Sequence, residues 1–215
     1  MAYGQYNVLF VHYNIFMRHF VATLTPFLIY VVVTTFTPGP NNILAMSNAA
    51  RDGYRGTLRF LAGIFSGFWL VMALCGLLNA LLVGLLPQVR AWLVWLGAAY
   101  MVYLALHILL AKPKPQGERA ADLNTFWAGF GLQFLNLKVI LYGITVFAIF
   151  IAQLAPNPWM VALFAPALAA VGFLSTSCWA LGGDVFRHFL NRYERWFNLA
   201  MAGLLVYTAV ASVAH

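Results

Sequence analysis

Gln133, Asn136 and Lys138 fall within one apolar run of the chain, and Asn41 and Asn42 fall within another, directly after Pro38, Gly39 and Pro40. The chemistry open to these types together is the capture of a small zwitterion. An ammonium and the first N–H groups of a helix attract a carboxylate, and carbonyls that have lost their helical donors attract an ammonium. Bond-making chemistry has no comparable candidate. The one histidine inside an apolar run, His107, has no acidic neighbour, so a nucleophile and base in mutual reach cannot be drawn.

The stretch from Thr35 to Leu44, "TFTPGPNNIL", breaks a helix. Pro38 has no N–H to give the carbonyl of Thr34, and Pro40 has none for Phe36, so both carbonyls are expected bare. Gly39 allows the turn, and Pro40 suits the first position of a new helix whose first turn carries Asn41 and Asn42. Bare backbone at membrane depth persists only where protein buries it or it lines a wet cavity. A simple proline kink is the plainer alternative, but two prolines, a glycine and two carboxamides exceed what a kink needs.

Lys138 stands about eleven residues, or roughly 16 Å, into its run. An ammonium at that depth costs on the order of 2.5 to 3.5 kcal/mol on the most lenient scale. Snorkelling to the interface is the alternative, and the depth works against it. No acidic residue lies deep in any run, so its expected anionic partner is a ligand. A helix broken near Asn136 turns Gln133, Asn136 and Lys138 toward one cavity. The expected site is therefore Pro38, Gly39, Pro40, Asn41, Asn42, Gln133, Asn136 and Lys138. A small pocket bounded by Gly39, Gly143 and Ser175 or Ser177 would favour short side chains.

These residues need a frame, and composition supplies it. Of the 215 residues, 63% are hydrophobic and 8% charged, with a mean hydropathy of +0.83, which is far from the balance of a water-soluble domain. Runs long enough to cross about 30 Å of hydrocarbon lie near 24–50, 60–86, 91–111, 127–153, 159–183 and 196–214. The connections carry turn residues: Arg51-Asp52-Gly53, Pro87, Lys112 to Gly117, Ala155-Pro156-Asn157-Pro158 and Gly182-Gly183-Asp184. Cys75 and Cys178 sit inside apolar runs and read as small buried thiols, with neither a disulfide framework nor a metal site. Gly63 and Gly67 form a small-xxx-small step suited to close helix approach.

The charges orient the runs. Three connections each hold three basic residues (Arg51, Arg55, Arg59; Lys112, Lys114, Arg119; Arg187, Arg192, Arg195), against Arg18 and Arg90 on the other side. That asymmetry places the first, third and fifth connections in the cytoplasm and both termini outside. The basic residues form no block, so the net charge of +7 does not point to nucleic acid. Trp92, Trp127, Trp159 and Trp196 at run ends suit interfacial anchoring. The fold expected is an all-α integral membrane protein, with six transmembrane helices as two inverted three-helix repeats and interrupted first and fourth spans. Residues 1–22 read as an N-terminal extension, with Met17 a candidate start, and 23–215 as a single six-span domain. Its first repeat covers about 24–111, a cytoplasmic linker 112–126, and its second repeat about 127–214.

Three stretches, "TPGPNNILAMSNAARDGYRGTLRFLAGIFSGF", "LVWLGAAYMVYLALHILLA" and "FWAGFGLQFLNLKVILYG", resemble the lysine-exporter (LysE) superfamily of amino-acid efflux proteins. The resemblance runs from about residue 23 to the end. It is closest to the cysteine and O-acetylserine branch through "TPGPNNILA", "LAGIFSGF", "QFLNLKVILYG" and "CWALGG". It implies a multi-pass protein of the bacterial inner membrane that exports small neutral amino acids, by proton antiport, and is not an enzyme. Homoserine, threonine, leucine or a basic amino acid are the alternative cargoes, and a passive channel or structural subunit the alternative classes. No cofactor or metal is implied; the partners are the amino acid and the lipid bilayer, with a homo-oligomer left open. Many members carry an acidic residue where this chain has Phe68, and a proline where it has Leu137.

Overall fold

A computed structural model describes residues 21–110, 123–152 and 159–214. Residues 1–20 with Met17 and Arg18, the linker residues Lys112, Lys114 and Arg119, and the connection at 155–158 lie outside the described residues.

The described elements are helical: α1 (Val21–Phe36), α2 (Pro40–Leu77), α3 (Asn79–Leu110), α4 (Phe126–Leu135) and α5 (Leu137–Thr145). A π-helical stretch, Val146–Ile151, continues α5. Then come α6 (Trp159–Val185), the short α7 (Arg187–Arg192) and α8 (Glu194–Ala214). Helices α2 and α6 are each long and apolar enough to cross a bilayer, and α4 with α5 and the π-helical stretch make a third such path, bent by 62°. Helix α1, Val94–Leu110 within α3 and Arg195–Ala211 within α8 are shorter apolar helices.

Three boundaries differ from the sequence reading, one of them at Gly182-Gly183-Asp184, which reads as a connection but lies inside α6, since a small residue such as Gly183, packed against a neighbouring helix, need not end one. The second run ends at Leu77 rather than near 86, and Pro87 lies inside α3 instead of forming the turn. A proline removes one i to i−4 hydrogen bond, which a long helix can absorb, whereas the real turn at Leu78 is marked only by the isolated Gly76 and Asn79 within a leucine-rich run. Within α2 the helix kinks at Gly53 (φ 77°, ψ 165°), the only described residue with positive φ. Helix α2 is therefore two helical segments, 40–52 and 54–77, that meet at Gly53.

Apolar packing falls into two clusters. One gathers Phe27, Val31, Phe68, Met72, Val139, Phe147 and Leu168; the other gathers Ile43, Phe60, Ile64, Leu104, Leu132 and Leu205. On three contributing segments the changeover coincides with polar or broken chain, between Val31 and Ile43, between Leu132 and Val139, and between Leu168 and Ala180, while on 54–77 it falls between Ile64 and Phe68 in unbroken helix. Asn42, Gln133, Asn136, Ser175 and Thr176 are buried at those changeovers. The site residues thus form a polar layer between two apolar cores.

Helix α4 approaches α2 at Gly63, where any Cβ would overlap the carbonyl of Phe126, and at Gly67, where it would lie 2.6 Å from the carbonyl of Phe130 and 2.9 Å from Cγ of Gln133. The small-residue step therefore sets how near Gln133 comes to α2. At one end of the bundle Arg51 pairs with Asp52 at 2.8 Å. Asn124 Nδ2 donates to Asp52 Oδ2 at 2.7 Å, and Arg187 Nη2 donates to the carbonyl of Arg51 at 2.9 Å. Asp52, Asn124 and Arg187 accordingly meet at the same end.

Gly63→Ala is expected to lower the thermal midpoint in detergent by an amount corresponding to about 1–3 kcal/mol of overpacking. Gly131→Ala, where an added Cβ meets nothing within 4 Å, should leave it within error. A second expectation concerns Asp52. Burial alone would raise its carboxyl, but hydrogen bonds from Arg51 and Asn124 and the charges of Arg51 and Arg187 outweigh this and hold it below the usual carboxylate range. A depressed folded-state value contributes stability above the unfolded pKa, and that contribution is lost as pH falls through the folded one. Melting curves between about pH 5 and pH 3 should therefore fall more steeply for the wild type than for Asp52→Asn.

Candidate functional site

Helix α1 stops because Pro38 cannot extend it, and its last described bond runs from Thr37 N–H to the Val33 carbonyl at 3.0 Å. Gly39 is extended (φ −172°, ψ 175°), and Pro40 opens α2 without any side-chain cap. The C-terminal end of one helix and the N-terminal end of the next thus face each other across three residues. The partial negative charge of the first and the partial positive charge of the second are both presented at the break.

The freed carbonyls are not bare, which corrects the reading at Thr34 and Phe36. Thr37 Oγ1 donates to the Thr34 carbonyl at 2.9 Å, and the Trp179 indole N–H to the Phe36 carbonyl at 3.2 Å. Asn42 Nδ2 spans the carbonyls of Thr35 and Thr37, both at 3.0 Å, and Ser175 Oγ also donates to Thr35, at 3.0 Å. The ammonium of Lys138 completes the set, with Thr37 Oγ1 at 2.9 Å, the Thr37 carbonyl at 3.0 Å and the Pro38 carbonyl at 3.4 Å. Thr37, and Trp179 of α6, replace the missing proline donors, and side chains of α2, α5 and α6 satisfy the remaining carbonyls at the end of α1. In an apolar interior each replaced bond matters, because an unpaired carbonyl there costs several kcal/mol.

The second break is a single residue. Asn136 (φ −87°, ψ 94°) ends α4 and starts α5, and its carbonyl accepts from Val139 at 2.9 Å and Ile140 at 3.2 Å. Its side chain turns away from this cap to donate to Asn41 Oδ1 at 3.1 Å. Asn41 and Gln133 exchange amide hydrogen bonds at 2.8 and 3.1 Å, and Gln133 also donates to the Gly129 carbonyl at 2.9 Å. The two breaks are therefore tied together by carboxamides. Asn136 Oδ1 is buried and has no hydrogen-bond partner.

Two cavities adjoin this junction. One, about 40 Å³, is lined by Gly39, Asn41, Asn42, Asn136 and Lys138 with Thr34, Thr35, Ile64, Phe68, Val139, Tyr142, Gly172 and Thr176. The other, about 250 Å³, lies between Gly39, Pro40, Asn136 and Lys138 and the side chains of Met101, Thr208 and Ala211. Gly39, Asn136 and Lys138 line both and form the wall between them. A Cβ on Gly39 would stand 3.2 Å from the Lys138 nitrogen, so a glycine here lets the lysine lie across the break.

The structure brings the eight expected residues together in differing roles. Gly39, Asn41, Asn42, Asn136 and Lys138 line the smaller cavity, Pro40 lines only the larger, Gln133 braces Asn41, and Pro38 offers its carbonyl. Gly143 packs instead against Met72 and Cys75, and neither it nor Ser175 nor Ser177 lines either of these two cavities. Sequence reasoning passed over Thr37, Trp179, Tyr142 and Thr176. The run Ser175-Thr176-Ser177 in an otherwise apolar helix was a usable signal; Trp179 gave none. Cys75 is buried as expected, but Cys178 is exposed, because an all-round apolar helix does not reveal which face turns inward.

With this geometry in place, the comparison with known families decides the assignment. The LysE type translocator family matches residues 32–214. The chain belongs to that family. It is 42% identical over 191 residues to the "Cysteine/O-acetylserine efflux protein" of Klebsiella pneumoniae, covering 88% of this chain and 96% of the relative. It is also 42% identical over 188 residues to the protein of the same name from Escherichia coli, covering 87% and 95%. No solved structure matches the chain.

Asn41→Ala and Gln133→Ala are each expected to destabilise the folded protein by about 1–3 kcal/mol, because each leaves a buried amide unpaired. The double variant should cost less than their sum by about 0.5–3 kcal/mol. Thermal or denaturant unfolding of all four proteins in one detergent measures this cycle.

Proposed function

We propose that this chain exports small neutral amino acids, cysteine and O-acetylserine foremost, across the bacterial inner membrane. The observation that carries the reading is the junction of two broken helices at a cavity, one break presenting opposite helix poles and the other an ammonium and carboxamides. A free amino acid has the complementary charges at its two ends. Its carboxylate would be received at the N-terminal end of α2 by the first-turn N–H groups of Asn41 and Asn42, which have no intrahelical acceptor. Its ammonium would meet the oxygens at the C-terminal end of α1. The names of the 42%-identical relatives support the choice of cargo.

In this reading Pro38, Gly39, Pro40, Asn41, Asn42, Gln133, Asn136 and Lys138 bind or brace the substrate. The protein crosses the membrane six times as two inverted three-helix repeats, 24–111 and 127–214, about a cytoplasmic linker at 112–126, with both termini periplasmic. The meeting of the Arg51, Asn124 and Arg187 segments at one end supports that arrangement. Export follows from rocking of the repeats, which opens the site to each side in turn, and proton antiport drives it. The smaller cavity has room for on the order of three waters, so short side chains are the ones admitted.

Purified protein in liposomes should accumulate labelled cysteine or O-acetylserine against a gradient when a proton gradient is imposed, and should lose accumulation when it is collapsed. Asn41→Ala should raise the half-saturation concentration at least tenfold, equivalent to about 1.4 kcal/mol. Transport of neither amino acid in a panel that includes homoserine, threonine, leucine and lysine would reassign the cargo. Flux that only equilibrates the two sides would indicate a passive channel.

A further inference from the structure

The seat for a substrate ammonium is already taken. The three oxygens at the C-terminal end of α1, the Thr37 carbonyl and hydroxyl and the Pro38 carbonyl, all lie within 3.4 Å of the Lys138 nitrogen. Those oxygens offer no second complete set of acceptors, and two ammonium groups sharing them would repel in a poorly solvated space. An incoming amino acid and the lysine ammonium therefore compete for one cation site.

We propose that Lys138 is a resident counter-cation: its ammonium occupies the substrate's own seat, and the proton it sheds on being displaced is the coupled ion. This rests on the exporter reading above.

The displaced lysine has nowhere equivalent to go as a cation. The cavity beside it sets the apolar side chains of Ile64, Phe68 and Val139 beside neutral polar ones such as Thr34, Thr35 and Thr176, and among the residues lining either cavity none is acidic. Tyr142, on α5 itself, is the only other titratable side chain in those linings; the residues contributed by α1 (Thr34 and Thr35), the break (Gly39), α2, α3, α6 and α8 include none. An ammonium that loses three oxygen ligands there finds only neutral dipoles and no counter-charge in their place, and releasing a proton removes the cost of holding the charge. The neutral amine can still donate an N–H to the substrate carboxylate. Asn136 Oδ1, buried and unpartnered at the same wall, is an acceptor held ready for the arriving ammonium.

The balance is simple. With the site open to the cytoplasm, Lys138 goes from –NH3+ to –NH2, one proton leaves to the cytoplasm, and one zwitterion takes the oxygens. With the site open outward, the zwitterion leaves and one proton from the periplasm restores the ammonium. One positive charge enters for each amino acid exported. Because proton and substrate exclude each other, the exchange is coupled without a carboxylate.

The test is proton release on binding. Calorimetric titration of L-cysteine into the purified wild type, in two buffers of different ionisation enthalpy, should show about one proton released per cysteine bound near neutral pH. The dissociation constant should fall by up to tenfold per pH unit between about pH 6 and pH 7.5. Lys138→Arg, whose guanidinium keeps its proton, should bind at least tenfold more weakly and release none. Cysteine binding by the wild type without net proton release would overturn the proposal. So would Lys138→Arg binding with wild-type affinity or with the same proton release. A wild type that binds neither cysteine nor O-acetylserine would instead sink the exporter reading, and this inference with it.

Discussion

The constraint on which the rest of this structure depends is that backbone carbonyls set free inside an apolar bundle must find donors. Pro38 and Pro40 remove two donors from the α1–α2 path, and the chain answers with side chains from three other places. Asn42 reaches back from the first turn of α2, Trp179 and Ser175 reach across from α6, and Lys138 reaches over from α5. Each of these contacts fixes the position of a helix as well as satisfying an oxygen. Helix α6 is long and apolar and could rotate freely about its axis on hydrophobic grounds alone; two polar contacts to consecutive residues, Thr35 and Phe36, give it a definite face.

The close approach of α4 has the same logic on the other break. Asn136 interrupts a helix without proline or glycine, and an asparagine does this readily because its side chain competes for local backbone groups. Here the side chain is drawn off to Asn41 instead, so the break is held open by a contact from the opposing break. That contact is available because Gly63 and Gly67 allow α4 to lie against α2 with backbone nearly touching backbone. Two apolar cores above and below then enclose the carboxamides, where neutral hydrogen bonds are stronger and an error in pairing is more costly.

Much of the site was legible in the sequence because it consists of residues that do not belong where they stand. Two prolines in a span and a lysine at its depth are violations that need an explanation, and "TPGPNN" with "QFLNLK" supplied the two sides of the junction. What stayed hidden was everything that obeys the local rules. Trp179 looks like any aromatic residue in a membrane helix, and Thr37 like a residue finishing a turn, so neither announced that it would cap a carbonyl. The turn at Leu78 was passed over although Gly76 and Asn79 stand beside it, because two residues of turn type make a weak signal inside a segment that is apolar on all sides. Pro87 misled in the opposite direction, since a proline's local signal was stronger than its effect on a long helix. The inward face of α6 was half legible, through Ser175 and Thr176, and wrong for Cys178.

The corrected carbonyl inventory also changes what kind of site this is. A break with bare oxygens would be a passive receptor, able to take a cation whenever one arrived. A break whose oxygens are already filled has two classes of occupant. Ser175, Asn42 and Trp179 are neutral donors on helices that must stay packed, and displacing them would unpick the bundle. Lys138 is different: it is a charged group on a flexible stem, it meets its oxygens from the wall between two cavities, and Gly39 leaves it room to lie there. Of all the donors at the break it is the one that can leave without taking a helix along. The seat it holds is the set of three oxygens that closes α1, next along the chain to the first turn of α2.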